Sequence, residues 1–496
     1  MGEKVKKKEI LINYEQQERR VAILEDGKLE NYFVERLQDR TTLGNIYKGR
    51  VETIVPSVGA AFVNVGGEKN GFLYLNDTVS LEVDEEVELA SGAPLVKKQE
   101  NTALKEGQEL IVQVTKEPFG NKGPRLTTHV SIPGRYLVLM PYERHFGISK
   151  RIDDAAERKR LRSILGVLKV PNHMGLIIRT VAWGATDKEL HRDLALLLRL
   201  WDRIDKASKR RNAPFLIYED YDIVLRMIRD YFNEEIGCIL IDSKEEFKRV
   251  FRFVKDYMGR VVNTVLFYRD KTPLFEKKGI EDEIERLYST KVFLKSGAYV
   301  VIEPTEGLTV IDVNSGKFRK KNISQEEMAF SVNCESAREI ARQLRLRDVG
   351  GIVVIDYIDM MEDRHRRELI NCFKSALASD RAKTDILGLS KLGLIQMTRE
   401  RTHRTLESIS YKNCPYCQGK GKVKSAFSIA LSAMRDLKNH LANNKTRKVT
   451  LEVNVDVAAS LNNENFQTLR NIGRRFGARI EVKSNDLFHI EKVVLT

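Results

Sequence analysis

The sequence predicts an α/β protein of several domains with one small β-barrel near its start. Three observations predict it. The 496 residues suggest three or four domains. Five short apolar stretches with glycine-rich turns follow one another between Gly44 and residue 132. Beyond them, strand-like and helix-like stretches alternate to residue 496.

The elements run as follows. Residues 9–14 (EILINY) and 20–24 (RVAIL) read as strands, and Asp26-Gly27 is a two-residue hairpin turn before 29–35. From Gly44 come NIYKGRVETIVP, GAAFVNVG, NGFLYLND, GQELIVQVTKEP and PRLTTHVSI. Five such strands predict a small barrel, and the OB-fold is the commonest basic one. An acidic stretch, roughly 79–104 and including EVDEEVE, reads as a solvated excursion without obvious chemistry. Residues 133–215 mix a charged helix (DDAAERKRLRSILGVL), a strand (GLIIRTVAW) and a long amphipathic helix around 187–210. In 216–290, the strand CILIDS precedes a helix near 244–258. Residues 291–405 hold the strands VVIEP, LTVIDVN and GGIVVIDYIDM, with helices at about 324–345 and up to 379. Residues 425–496 read as helix, strand, helix, strand, enough for a small separate α/β unit.

Composition narrows the function. A hydrophobic content of 42% excludes wholesale disorder. Lys and Arg number 84 against 70 Asp and Glu, a net +14, which points to a polyanionic partner: RNA, DNA or an acidic membrane. No run of about 18 apolar residues predicts a membrane span. The N-terminal MGEKVKKKEILINYEQ lacks the apolar core of a signal peptide, so a cytoplasmic protein is expected. Five scattered cysteines do not make a disulfide framework.

Two strands end in acid. TVIDVNSG sets Asp312 and Asn314 at i and i+2, on one side of a strand. VVIDYIDM sets Asp356 at the end of another, where ligand sites of α/β sheets lie. Two such carboxylates can bind Mg²⁺ together with waters and a substrate phosphate. The alternative is that they cap helices or meet surface lysines. Asp359, at i+3 from Asp356, would face the other side of an extended strand and could cap the helix beginning near Glu362.

In NCPYCQGKG, Cys414 and Cys417 form a C-P-x-C turn followed by Gly419 and Gly421. Such turns point two thiolates at one ion, as in zinc knuckles. Structural zinc takes four ligands and no second CxxC exists. His403 is a candidate third ligand, and nothing nearby supplies a fourth. A Zn²⁺ shared by two chains is the simplest solution, against a redox pair or two ordinary cysteines.

The motifs GNIYKGRVETIVPSVGAAFVNVG, NGFLYL, GNKGPRLTT, GLIIRT, TVIDVNSG, GGIVVIDYIDM and CPYCQGKG together resemble the catalytic region of the ribonuclease E/G family. They occur in the family's order from near residue 10 to beyond 420. The resemblance implies a ribonuclease H-like part in two segments (1–38 and 216–290) around an OB-fold RNA-binding domain (39–132). It further implies a 5′-sensor region (133–215), a DNase I-like catalytic region (291–405), a zinc link (406–424) and a small C-terminal domain (425–496).

By the same resemblance, Asp312 and Asp356 bind the catalytic Mg²⁺ and Asn314 supports them by hydrogen bonding. The expected reaction is endonucleolytic cleavage of single-stranded RNA to 5′-phosphate and 3′-hydroxyl ends. Phe62 and Phe72 match the aromatics that grip a base, although a Phe in a barrel strand is ordinarily core, and Lys122 matches a lysine on the RNA path. Arg179 and Thr180, with Val138 and Arg151 beside them, match the sensor of an RNA 5′-monophosphate; an arginine fork suits phosphate, and a salt bridge is the alternative. Two departures stand out. Lys383 in DRAK replaces an arginine, and the 79–104 stretch is longer than the family's. The length resembles the short, ribonuclease G-like members, implying ribosomal RNA precursors as substrates and a zinc-linked homodimer or homotetramer. Two rivals remain at this level: a non-catalytic RNA-binding or ribosome-associated protein, and a phosphoesterase acting on DNA.

Overall fold

The fold is taken from a computed structural model, which describes residues 8–39, 41–75, 87–89, 104–118, 122–233, 235–318, 324–390, 393–401, 405–444 and 446–496. The chain forms two compact units, Met1–Ile409 and Ser410–Thr496.

The first sheet of the larger unit begins with the hairpin strands Lys8–Tyr14, Glu18–Glu25 and Lys28–Arg36. Asp26 and Gly27 both take positive φ (51° and 77°), the geometry that two-residue hairpins require. Two strands from much later in the chain, Ile236–Ile241 and Val265–Phe267, extend this sheet in parallel beside Lys8–Tyr14. Apolar side chains cover both of its faces. Ile10, Ile12, Val21 and Ile23 pack against Ile228 and Val254 on one side. Leu11, Ala22 and Leu24 pack against Leu274, Phe275 and Leu346 on the other.

The chain between those segments builds the barrel. Ile46–Val55, Ala60–Asn64, Gly71–Tyr74, Arg125–Thr127 and Glu109–Lys116 pair in turn, and Glu109–Lys116 closes back onto Ile46–Val55. Five closed strands make an OB-like barrel. Its interior is filled by Val51, Ala61, Val63, Leu73, Val112, Val114 and Leu126.

A third sheet holds Leu137–Met140, Gly175–Ile178 and Phe146–Ser149, packed on the helix Asp187–Arg210. Its edge is Val87–Leu89, which pairs with Phe146–Ser149. This strand comes from the acidic stretch expected to be a plain excursion; Leu104 also belongs to the described residues, and the remainder of 79–104 lies outside them.

The fourth sheet has six strands in the order Lys291–Phe293, Tyr299–Pro304, Leu308–Asn314, Gly351–Asp356, Leu394–Arg399, Thr384–Leu389. The helices Gln325–Leu346 and Asp363–Leu377 cover one face, burying Ile311, Val313, Val353 and Ile355. On the other face Val310 and Ile352 are exposed.

The smaller unit has a three-stranded sheet, with Lys448–Val453 between Arg479–Ser484 and Val493–Leu495. Helices Ala426–Asn443, Val455–Asn462 and Phe466–Phe476 pack on it. Among the described residues no helix is long and apolar enough to cross a membrane.

Candidate active site

Leu308–Asn314 and Gly351–Asp356 are adjacent parallel strands, and their register pairs Asp312 directly with Asp356. Neighbouring strands lie about 4.8 Å apart, and paired residues point to the same face. Ile311, Val313, Ile355 and Tyr357 turn into the core, so Asp312 and Asp356 both stand on the open face. Asn314 donates from Nδ2 to Asp312 Oδ2 at 2.8 Å, which fixes that carboxylate's orientation. Desolvation, with the charges of Asp312 and Asp359 beside it, raises the Asp356 carboxyl above the usual carboxylate range. Crowded acids of this kind favour a cation between them.

Asp359 departs from its sequence expectation. The strand ends at Asp356, so two-residue alternation no longer governs the chain beyond it. Asp359 lies over the turn before Leu394, where a Cβ on Gly393 would come within 3.6 Å of its Oδ1. Leu394 is itself the partner of Asp356. The next helix has Glu362 at its N-cap, with no side-chain cap bond.

The loop after Asp356 is held from below. Fully buried Asn333 donates to the Ile358 carbonyl (2.8 Å) and accepts from the Ile358 N–H (3.1 Å). Glu326 accepts from the Met361 and Glu362 N–H groups and meets His365 Nδ1. These bonds bring the Glu326 carboxyl down to about 2. Sequence reasoning missed Asn333 and Glu326, because neither belongs to a local motif.

On the barrel, Phe62 and Phe72 are paired across adjacent strands, their ring centroids 5.7 Å apart and edge-on. Both point away from the barrel core, whose residues are their sequence neighbours Ala61, Val63 and Leu73. Phe62 is 37% exposed. Tyr74 continues the row, 4.7 Å from Phe72, with the Arg125 guanidinium over its ring. Tyr74 could have been found by alternation from Phe72. Lys122 is exposed.

A third cluster assembles around Arg179. Its guanidinium donates to the Gly134 carbonyl and to Asp230, both at 2.7 Å. Two arginines, Arg229 and Arg179, hold the half-buried Asp230 carboxyl far below the usual range despite desolvation. The Thr180 hydroxyl lies 2.9 Å from that of Ser149, whose Oγ accepts the Arg151 N–H. Val138 sits one strand away, paired with Ile177. Arg151 Nη2 reaches the Arg381 carbonyl, while Arg381 donates to the Asp230 carbonyl and stacks on Tyr231 at 3.8 Å. The fourth sheet's 380–383 segment therefore touches this cluster through Arg381, two residues before Lys383. Asp230, Ser149 and Arg381 were not foreseen; they come from three distant segments.

Known proteins match this chain over most of its length. The Ribonuclease E/G family matches residues 131–402. Ribonuclease G of Escherichia coli K12 is 35% identical over 489 residues, 98% of both chains. The chain belongs to the ribonuclease E/G family. Ribonuclease E of Haemophilus influenzae is 42% identical over 481 residues, 97% of this chain and 51% of that one. Ribonuclease G of the same organism is 36% identical over 489 residues. The chain thus spans about half the length of the ribonuclease E relative and nearly all of the ribonuclease G relatives. Residues 413–496 match the family's thioredoxin-like domain.

That match takes in the cysteine turn of this ribonuclease E/G chain, which falls in the smaller unit. Backbone N–H groups of Cys417 and Tyr416, then the Cys417 thiol, lower the Cys414 thiol below its ordinary value. The Gly421 N–H donates to Cys417 Sγ at 3.2 Å. The lowered Cys414 thiol gives up its proton more readily, and the thiolate is the form zinc binds. His403 lies outside the described residues. Among the described residues no three His, Cys, Asp or Glu side chains gather as a metal cage. Two thiols supply half a tetrahedral site, and two carboxylates suit Mg²⁺, which keeps most of its waters.

Proposed function

We propose that this protein is a Mg²⁺-dependent endoribonuclease that cleaves single-stranded RNA to 5′-phosphate and 3′-hydroxyl ends. The observation that carries the reading is the direct pairing of Asp312 with Asp356, with Asn314 bonded to the first. Asp312 and Asp356 would hold the ion, which activates water and stabilises phosphoryl charge when bound. Asn314 keeps the Asp312 carboxylate aimed. Asn333 and Glu326 fix the loop that carries Asp359 past the site. On this reading 291–405 is the DNase I-like region. The single sheet built from both sides of the barrel supports reading 1–38 and 216–290 as one ribonuclease H-like part. The test is a labelled single-stranded RNA, with a matched DNA, in Mg²⁺ and in chelator. RNA shortened only with Mg²⁺ fits; binding without cleavage would indicate a non-catalytic RNA-binding protein.

The barrel row Phe62, Phe72 and Tyr74 would stack unpaired bases, with Lys122 and Arg125 toward phosphates. The Arg179, Thr180, Val138 and Arg151 cluster would receive a 5′-monophosphate. Thr180→Val, which removes one hydroxyl and keeps the shape, should cut the advantage of 5′-monophosphate over 5′-hydroxyl RNA by about ten- to a hundredfold, since a hydrogen bond to a charged group contributes about 1.5–3 kcal/mol. The 5′-hydroxyl rate should not change. An unaltered ratio in initial-rate assays would remove Thr180 from sensing.

Cys414 and Cys417 would hold Zn²⁺ between two chains, making a homodimer or a homotetramer of two such pairs in the cytoplasm, with ribosomal RNA precursors among the substrates. Native protein should then carry about 0.5 equivalent of zinc per chain. Cys414→Ser should lose it and halve the mass seen by light scattering. A zinc-free variant of unchanged mass would contradict the shared ion.

A further inference from the structure

The smaller unit carries much of the chain's charge. Residues 410–496 contain 15 Lys and Arg against 7 Asp and Glu, so +8 of the net +14 lies in 87 of 496 residues. The helix Phe466–Phe476 packs beside Arg479–Ser484, which is an edge strand of its sheet. Between them lies a cleft of about 420 Å³. Its apolar lining comes from Leu469, Ile480 and Val482. Phe466 stands at it 52% exposed. Arg470 and Arg474 line it too, one helical turn apart on the same face. Both are exposed, and no hydrogen bond or ion pair with another described residue engages either side chain.

We infer that this cleft is a second binding site for single-stranded RNA, resting on the ribonuclease reading above but separate from the carboxylate pair. Single-stranded nucleic acid binds where aromatic faces take bases and unpaired cations take the backbone. Phe466 supplies the face, and the apolar wall beside it gives an unpaired base somewhere to leave water. Arg470 and Arg474 supply two forks for successive phosphates. A second copy of this chain is a poorer occupant, because a twofold contact would set Arg470 and Arg474 against their own copies.

The test uses the full chain in chelator, so that RNA is bound and not cut. A single-stranded RNA of about 30 nucleotides is titrated across salt concentrations against the unmodified chain, Phe466→Ala, and Arg470→Glu with Arg474→Glu. Both variants should weaken binding at least about fivefold. Losing two phosphate contacts should also reduce the salt slope by about 1.4. Thiouridine in the RNA should cross-link to the Phe466 peptide. In Mg²⁺, cleavage of a short RNA of about 10 nucleotides should be unchanged in both variants. Unaltered affinity and slope, or no cross-link to this helix, would overturn the site. So would a change of oligomeric mass in the arginine variant, or displacement by polyglutamate but not by RNA, which would point to another occupant. Loss of the ribonuclease reading would look different: the unmodified chain itself would fail to cut RNA in Mg²⁺.

Discussion

Asp312→Asn and Asp356→Asn should each lower RNA cleavage on the order of 10³-fold, because several kcal/mol of charge stabilisation leaves with the metal. Each change keeps the side chain's shape. RNA affinity in chelator should therefore hold. Folding stability should hold as well, or rise slightly at Asp356, whose charge is opposed by Asp312 and Asp359. That pattern distinguishes a metal-holding pair from a structural one. Acids that capped helices or paired with lysines would lose stability on neutralisation and keep activity. Initial rates and urea unfolding on the same preparations decide between the two.

The second large effect lies at the end of the same strands opposite to Asp356. Arg399, at the end of the strand that pairs with Gly351–Asp356, is buried with Asp380 and Asp348, each 2.8 Å away. It also donates to the Val349 carbonyl. Arg399→Met should destabilise the larger unit by about 3–5 kcal/mol, since two buried carboxylates are left without their cation. Adding Asp348→Asn and Asp380→Asn to it should return part of that loss. A destabilisation under about 1 kcal/mol by urea titration would show the triad to be dispensable. Asp380 directly precedes Arg381, which contacts the Arg179 cluster, so the triad anchors both the acidic strand and the segment that meets that cluster.

Local pattern carried much of the architecture. The hairpin at Asp26-Gly27 and the alternating barrel strands follow from backbone conformation and side-chain period, which short windows contain. Asp312 and Asn314 were legible because two residues on a strand share a face. Asp356 was legible as a second strand-end acid able to share a cation with Asp312, but the direct pairing was not, since a parallel register is set by helix packing over some 40 residues. Asp359 was misplaced because strand alternation was carried past the strand's end. The Arg179 cluster draws on residues 134, 149, 230 and 381, and no sequence window joins them. Phe62 and Phe72 show the opposite case: composition alone favoured the core, and only the burial of Ala61, Val63 and Leu73 turns them outward.

The most direct measurement is anomalous scattering from crystals of the full chain soaked in Mn²⁺, which stands in for Mg²⁺ at oxygen ligands. One peak within about 2.3 Å of carboxylate oxygens from both Asp312 and Asp356, lost in Asp312→Asn, is the expected result. An ion elsewhere, or neither aspartate ligated at saturating Mn²⁺, would contradict the account.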